Sequence, residues 1–572
     1  MAMPRGFLSN DVLASCTWQY LERSVGRLLL SEGFTGMRML GQSGDEGADI
    51  LAHRNGKRWL IQVKRRRAAA VGVDVLDETV RSAHVYRADI PVVATNLCFT
   101  DQARVQQSLL MAAGTPIQLW DRSVLTKRWE RLPDKPARTL APRPYQEAAI
   151  RPIVESCVSR DRHTALIVMA TGLGKTFVAA ESYRRIKELR RDLSALILAH
   201  TNDLVYQLER AFWPCLDKYE ITSVWNGYES PDPDATLTFA CVDSVASKLQ
   251  TSGSLERVFD LVIVDECHHA GSTEYRAVLE ALHCGAPDGP FLIGMTATPW
   301  RPDGTSIHSL FGEPVACVDI VQGLKMGWLS NVDYRMHVDN INWQELHRAH
   351  HLTPRGLNRT IFIQEWDDAV VQKLKETWFE IPHARAIVFC GNIDHAITMR
   401  DRINGLGFAR AEALYAGSPG APRLSHAQRS KILADFHDGQ VGVLCAVDLL
   451  NEGIDLPDVN IVVFQRVTHS RRIFVQQLGR GLRIASGKEK VIVLDFVSDV
   501  RRFAAGLDLQ NKLQEGPQYI TIGSRVRFMN AGGEDRRAES FLREWLEDVA
   551  AIESAGEDDH VLKFPPPLSD RF

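Results

Sequence analysis

Apolar positions along this chain fall into three patterned stretches, separated by polar or proline-rich segments. In the first, Leu21, Val25, Leu28 and Leu29 recur at helical spacing and Gly33-Phe34 marks the stop. Short β-branched and aromatic runs predict strands at Ala48–Ala52, Trp59–Lys64, Ile90–Ala94 and Ile117–Trp120. Pro133–Pro144, rich in proline with Lys and Arg, reads as a linker. To about residue 330, apolar strands at Ala165–Met169, Ala195–Leu198, Leu261–Val264 and Phe291–Gly294 alternate with helical segments. That alternation predicts a parallel sheet with helices packed on it. A second such set follows at Ala386–Phe389, Val441–Cys445, Asn460–Phe464 and Val491–Leu494, after a polar, His-containing connector at Val332–Asp368. Ser540–Ile552 reads as a helix, and the acidic, then Pro-rich tail Glu553–Phe572 as loosely ordered.

At 572 residues the chain is too long for one core. The pattern divides it into an α/β domain over 1–132, a linker over 133–142, an α/β lobe over 143–330, a connector over 331–375, a second lobe over 376–500, and a C-terminal helical extension and tail over 501–572. Met1–Asn10 has no apolar signal region and no long apolar run follows, which predicts a cytoplasmic protein. Ten scattered cysteines without a CxxC pair predict reduced, mostly buried thiols rather than disulfides or a zinc or iron–sulfur site. The net charge of −4 hides an asymmetry: residues 1–138 carry 20 Lys+Arg against 14 Asp+Glu, a net of +6, leaving −10 for the rest. A basic front end suits contact with a phosphate backbone, and Lys64-Arg65-Arg66-Arg67 is its densest run.

Asn55-Gly56 lies between two strand runs and predicts a two-residue hairpin, because a type I′ turn needs positive φ at both positions. Such a turn pairs Arg54 with Lys57 and, five steps on, Asp49 with Gln62. Opposed residues share a face, and Lys64 shares it too. A carboxylate, an amide oxygen and an ammonium are thereby brought together, while Trp59, Ile61 and Val63 point into the core. The set suits metal-assisted phosphodiester hydrolysis, with Asp49 and Gln62 holding Mg²⁺ and Lys64 stabilising charge or helping to deprotonate water. The same residues also suit a surface hairpin with ordinary polar side chains. With Glu22 on the preceding helix, the order Glu22, Gly47-Ala48-Asp49, Gln62-Val63-Lys64 resembles the Mrr-like branch of the PD-(D/E)xK restriction endonucleases, in which glutamine replaces the second acid. The resemblance implies Asp49 as main metal ligand, Gln62 as the second, Lys64 as catalytic lysine and Glu22 as an auxiliary acid. No separate DNA-reading domain is evident.

Further on, strand Ala165–Met169 runs into Ala170-Thr171-Gly172-Leu173-Gly174-Lys175-Thr176 and then a helix, the logic of a phosphate-binding loop. The glycines let backbone N–H groups approach phosphates, Lys175 meets the β/γ-phosphates and the Thr176 hydroxyl ligates Mg²⁺. Asp265-Glu266-Cys267-His268 ends an apolar strand, placing Asp265 to hold Mg²⁺ and Glu266 to position or deprotonate the attacking water. His268 and His269 lack a partner cluster and are not read as metal ligands. Gly294-Met295-Thr296-Ala297-Thr298-Pro299 follows another strand as a coupling segment, and Asn451-Glu452-Gly453-Ile454-Asp455 and Gln476-Gln477-Leu478-Gly479-Arg480-Gly481-Leu482-Arg483 close the series. Arg480 and Arg483, three apart on a helix, can reach the γ-phosphate from the opposite lobe.

In this order the motifs closely resemble superfamily 2 helicases of the DEAD/DEAH, type III restriction-subunit group. The resemblance implies two RecA-like parallel-sheet domains with ATP between them. It implies Arg143-Pro144-Tyr145-Gln146 as the adenine-reading segment with Gln146 as reader, and Gly453 and Asp455 among the nucleotide contacts. His200-Thr201 and Cys241–Val245 match segments that grip the nucleic-acid backbone. The expected whole is an ATP-dependent DNA helicase or translocase, with double-stranded DNA as the expected partner, and an attached Mg²⁺-dependent endonuclease for restriction or phage defence. The order also resembles the type I restriction motor subunit, without its large C-terminal partner-binding region. Two other readings stand beside it: a DNA-repair helicase whose front domain binds DNA without cutting, and an RNA helicase.

Overall fold

The computed structural model describes residues 5–40, 47–136, 141–255, 257–297, 307–318, 322–323, 326–338, 364–415, 424–447, 459–465, 490–497 and 527–529. Three sheets organise them. The first contains β1 (Thr35–Met39), β2 (Ile50–Arg54), β3 (Lys57–Lys64), β4 (Ile90–Thr95) and β5 (Gln118–Trp120), side by side in that order. It is antiparallel from β1 to β3 and parallel from β3 to β5. Helix Trp18–Ser31 lays Leu21, Val25, Leu28 and Leu29 on Ile50, Ala52, Ile61 and Val63, as its spacing predicts. Helices Val73–Val85 and Asp101–Ala112 cover the other face through Val75, Leu76 and Ala103 against Val93. This arrangement, with the two lobes below, is the α/β class expected from the pattern.

The second sheet has β6 (Thr164–Met169), β7 (Ala195–Ala199), β8 (Thr222–Trp225), β9 (Leu237–Cys241), β10 (Leu261–Val264), β11 (Phe291–Thr296) and β12 (Pro314–Val318), in the order β12-β6-β11-β10-β7-β9-β8. The third has β13 (Asn331–Val338), β14 (Ala386–Phe389), β15 (Ala411–Leu414), β16 (Val443–Ala446), β17 (Ile461–Phe464), β18 (Lys490–Val497) and β19 (Arg527–Met529), in the order β15-β16-β14-β17-β18-β13-β19. All pairings in both are parallel. In the second sheet two apolar clusters line opposite faces, so its strands are mostly apolar, as a doubly covered parallel sheet requires. One expectation changes. Residues 331–338, taken as polar connector, form β13, paired in register with Lys490–Val497. The expected helix Ser540–Ile552 and the tail Glu553–Phe572 lie outside the described residues.

The first domain docks on both lobes. Against the second sheet's lobe, Arg23 is buried between Glu209 at 2.7 Å and Glu229 at 2.5 Å. Burial works against the Arg23 charge, yet the two carboxylates outweigh it and hold the guanidinium more firmly protonated than usual. Arg27 donates to the Glu220 carbonyl at 2.8 Å and the Asp217 carbonyl at 2.6 Å, and Trp129 Nε1 donates to the Lys218 carbonyl at 3.0 Å. Against the third sheet's lobe, Ala434 of helix His426–His437 packs with Leu40, Ala48, Leu51, Leu60 and Tyr86. At the edge of that contact Arg58 pairs with Asp438 at 2.6 Å, and Arg38 donates to the Leu433 carbonyl at 2.5 Å.

Candidate functional site

The hairpin forms in the register its turn dictates. Asn55 and Gly56 have φ of 53° and 71°, and Arg54 faces Lys57 while Ile50 faces Ile61. The regular ladder stops there, one pair before Asp49 and Gln62. Asp49 N–H donates to the Ile61 carbonyl at 3.1 Å, and its carboxylate Oδ2 accepts from Val63 N–H at 2.5 Å. Asp49 is therefore fixed at the mouth of the hairpin by two bonds to β3, and on its other side its carbonyl accepts from Leu40 N–H at 2.7 Å. Gln62 is fully buried and faces helix Val73–Val85, where the Thr79 hydroxyl donates to its Oε1. Among the described residues its Nε2 is buried without a hydrogen-bond partner. Lys64 Nζ pairs with Glu78 Oε2 at 3.3 Å.

The Asp49 carboxylate thus rests on the backbone of Val63, between Gln62 and Lys64 in sequence, and Thr79 and Glu78 meet those two unannounced. Their sequence signal was faint: Val75, Thr79 and Ser82 are the buried, inward side of an otherwise ordinary amphipathic helix. Glu22 is buried in helix Trp18–Ser31, on the face of β3 opposite to Gln62. Among the described residues no three His, Cys, Asp or Glu side chains are grouped to hold a metal, so Glu22, Asp49 and Glu78 form no carboxylate triad. A cation here would rest on Asp49 together with a neutral oxygen. The Gln62 amide stands where that neutral oxygen is needed, with its Nε2 end toward the open space. Gly47, with φ of 81°, leaves open a space in which a Cβ would meet Gln62 Nε2 at 2.5 Å and the Glu78 carboxyl carbon at 2.8 Å. An orphaned amide and a carboxylate converge on that glycine.

In the second sheet the predicted phosphate loop joins the end of β6 to the N-terminus of helix Lys175–Leu189. Gly172 and Gly174 have φ of 92° and 85°, a left-handed conformation that glycine adopts without strain. Lys175 Nζ forms an ion pair with Glu266 Oε1 at 2.9 Å. Asp265 follows β10 and is buried, with its N–H on the Leu198 carbonyl at 3.0 Å. Burial, then the neighbouring Glu266, pushes the Asp265 carboxyl well above the usual range. Burial acts on Glu266 likewise, but Lys175 and His268 outweigh it and hold that carboxyl low. Of the two carboxyls, Glu266 is therefore the more readily ionised, against the lysine. Thr176 is half-buried at the same helix start, so a hydroxyl and a carboxylate suited to Mg²⁺ flank the loop.

His268 Nδ1 lies 3.0 Å from Thr296 Oγ1 and 3.3 Å from Glu266 Oε2, which joins the Asp-Glu-Cys-His segment to the coupling segment at the end of β11. Gln146 has both amide ends engaged: Oε1 accepts from Arg143 N–H, and Nε2 donates to the Leu173 carbonyl, both at 2.9 Å. The segment expected to read adenine is thereby tied to the phosphate loop. Beside it Tyr145 stacks on Trp328 at 4.1 Å between centroids, an aromatic platform the sequence did not announce. Gly453, Asp455, Arg480 and Arg483 lie outside the described residues, as do Thr298 and Pro299.

Comparison with known proteins agrees with both halves. Residues 13–129 match the restriction endonuclease family of Mrr catalytic domains, 139–301 the type III restriction enzyme res subunit, and 369–485 the helicase conserved C-terminal domain. The chain is 28% identical over 377 residues to a Schizosaccharomyces pombe protein named as the mitochondrial ATP-dependent helicase irc3, covering 64% of this chain and 59% of that one. It is 26% identical over 394 residues to the type I restriction enzyme EcoAI endonuclease subunit of Escherichia coli, covering 64% and 47%. The chain thus spans only about half the length of these relatives. Among solved structures, a fragment of an HsdR subunit of a type I restriction enzyme from Vibrio vulnificus superposes with a TM-score of 0.50 at 23% identity, covering 85% of this chain and 89% of that one. At that identity the likeness speaks for the fold. Among the described residues no helix is long and apolar enough to cross a membrane.

Proposed function

Starting from a chain that is a superfamily 2 helicase fused to an N-terminal Mrr-like restriction endonuclease domain, we propose that it is an ATP-driven DNA translocase that cuts DNA with Mg²⁺ in restriction or phage defence. The observation that carries this reading is the docking of the first domain on the motor through buried Arg23, Glu209 and Glu229. A cutter held by buried charges moves with its motor rather than trailing on a tether. Families of both kinds generally use ATP and Mg²⁺.

In the motor, Lys175 rests on Glu266 until nucleotide phosphates draw it away. Glu266 is then free to orient the attacking water, while His268 carries its position to Thr296 at the end of β11. Arg480 and Arg483 would close on the γ-phosphate from the second lobe. In the nuclease, Asp49 and Gln62 would hold the metal and Lys64 would stand beside the scissile phosphate, released from Glu78. Bound Mg²⁺ supplies a Lewis acid for the phosphate and acidity for the attacking water.

The test compares ATP hydrolysis and cleavage on modified and unmodified plasmid, single-stranded and forked DNA, with and without ATP. DNA-stimulated ATPase together with Mg²⁺-dependent cleavage that Lys64→Ala abolishes supports the reading. A second reading, a repair helicase whose front domain only binds DNA, draws on the absence of a carboxylate triad among the described residues. Strong ATPase with no nicking under any condition would favour it.

A further inference from the structure

The Thr79 hydroxyl stands between two acceptors. It lies 2.7 Å from the Val75 carbonyl, one helical turn back, and it also contacts the Gln62 amide oxygen. A hydroxyl has one proton and cannot donate to both. At the other end of the same amide, Gln62 Nε2 is buried with no partner among the described residues, which carries a desolvation cost. Exchanging the two ends of the amide, a change that alters no shape, removes the first difficulty and turns the second into an unpaired oxygen that a cation would satisfy. Thr79 then donates to Val75 and accepts from the Gln62 NH₂ group. The Gln62 oxygen turns to the space beside Gly47 and Glu78.

We propose that Thr79 is the positioning residue of the nuclease site: it fixes the Gln62 amide so that its oxygen, not its nitrogen, faces the cation. The inference rests on the nuclease reading above. It also answers a problem that the glutamine creates. A carboxylate presents an oxygen whichever way it turns, whereas an amide presents one only in the right orientation. A site that replaces its second acid with glutamine, and has no carboxylate triad among the described residues, needs something to set that orientation. Facing Glu78, a bare amide oxygen would meet like charge, so the oxygen-in arrangement is favoured when a cation lies between them. Gly47 is the residue that leaves room for it, because a side chain there would collide with both groups.

The experiment measures Ca²⁺ binding to the full chain by calorimetry without nucleotide, taking the part lost in Asp49→Ala as the nuclease site. Thr79→Val keeps the shape and removes the hydroxyl; it should weaken that site about tenfold to a hundredfold, in the range of outer-shell substitutions at metal sites. Thr79→Ser restores the hydroxyl and should bind like the parent. In a Gln62→Glu background, where both terminal atoms are oxygens, Thr79→Val should no longer matter. DNA-stimulated ATPase reports that each variant is folded. Equal binding by Thr79→Val and the parent would overturn the proposal, as would a loss that Thr79→Ser does not rescue or that persists unchanged with Gln62→Glu. If the parent and Asp49→Ala bind Ca²⁺ alike, the nuclease reading itself fails and this inference falls with it.

Discussion

The motor and the nuclease each pair a lysine with a glutamate, and the two pairs sit in different surroundings. Lys175 and Glu266 are 10% and 16% exposed and 2.9 Å apart, whereas Lys64 and Glu78 are 30% and 34% exposed and 3.3 Å apart. In the drier motor site each charge interaction is stronger and breaking one is costly, so Lys175 is held more firmly than Lys64. The nuclease pair is wetter and screened, so it holds Lys64 in place without holding it back. The origins also differ. The motor pair joins two strand ends across a parallel sheet, while the nuclease groups meet through one hairpin's register and one helix turn.

The sharpest way to split the two regions is Lys175→Ala. ATP turnover should fall by about a hundredfold to a thousandfold, the usual loss when a principal charge stabiliser is removed. ATP-independent nicking should persist, because the site around Asp49 uses nothing from the loop. Steady-state ATPase and a nicking assay on the same preparation check this. Normal ATP turnover in that variant would defeat the motor assignment.

A smaller effect tests whether the regions form one body. Arg23→Ala leaves Glu209 and Glu229 buried without their cation and should cost about 3 kcal/mol. Urea unfolding followed by tryptophan fluorescence should show the first domain melting before the motor, where the parent melts them together. An unchanged single transition would mean that this contact does not hold the domains.

Sequence alone reveals much of this, and unevenly. Asn55-Gly56 sets the register from Arg54–Lys57 to Ile50–Ile61 by itself, which leaves Asp49 and Gln62 one step beyond the last pair. The phosphate loop and the Asp265-Glu266 segment each end an apolar strand, so their side of the sheet is legible too. Thr79 and Glu78 are not, because the crossover helix from β3 to β4 brings them to Gln62 and Lys64 and nothing in their own spacing marks it. Arg23 and Arg58 read as ordinary basic residues, since a docking partner over a hundred positions away leaves no local trace. The strand β13 is hidden differently. Val332, Tyr334, Met336 and Val338 alternate with Asp333, Arg335 and His337, but these polar residues make the segment look like connector. Asp333 is in fact buried and paired with Arg335 and Lys490.

The mildest perturbation bears on how the two regions communicate. Arg58 leaves β3 and pairs with Asp438 just past helix His426–His437 of the second lobe, and both side chains are largely covered. The apolar contact of Ala434 with Ala48, Leu51 and Leu60 lies alongside. Ala48 precedes Asp49 directly, so any shift of that helix during lobe closure presses on the strand that carries the proposed metal ligand. Arg58→Ala removes the charged rim and leaves the apolar contact, and should cost about 2 kcal/mol in stability, less than Arg23→Ala because it strands one carboxylate rather than two. Its informative readout is coupling: the change in cleavage rate on adding ATP should shrink while ATPase and ATP-independent cleavage stay near the parent's. If ATP alters cleavage equally in parent and variant, the second lobe communicates with Asp49 by another route, and the buried Arg23 contact with the first lobe is where to look for it.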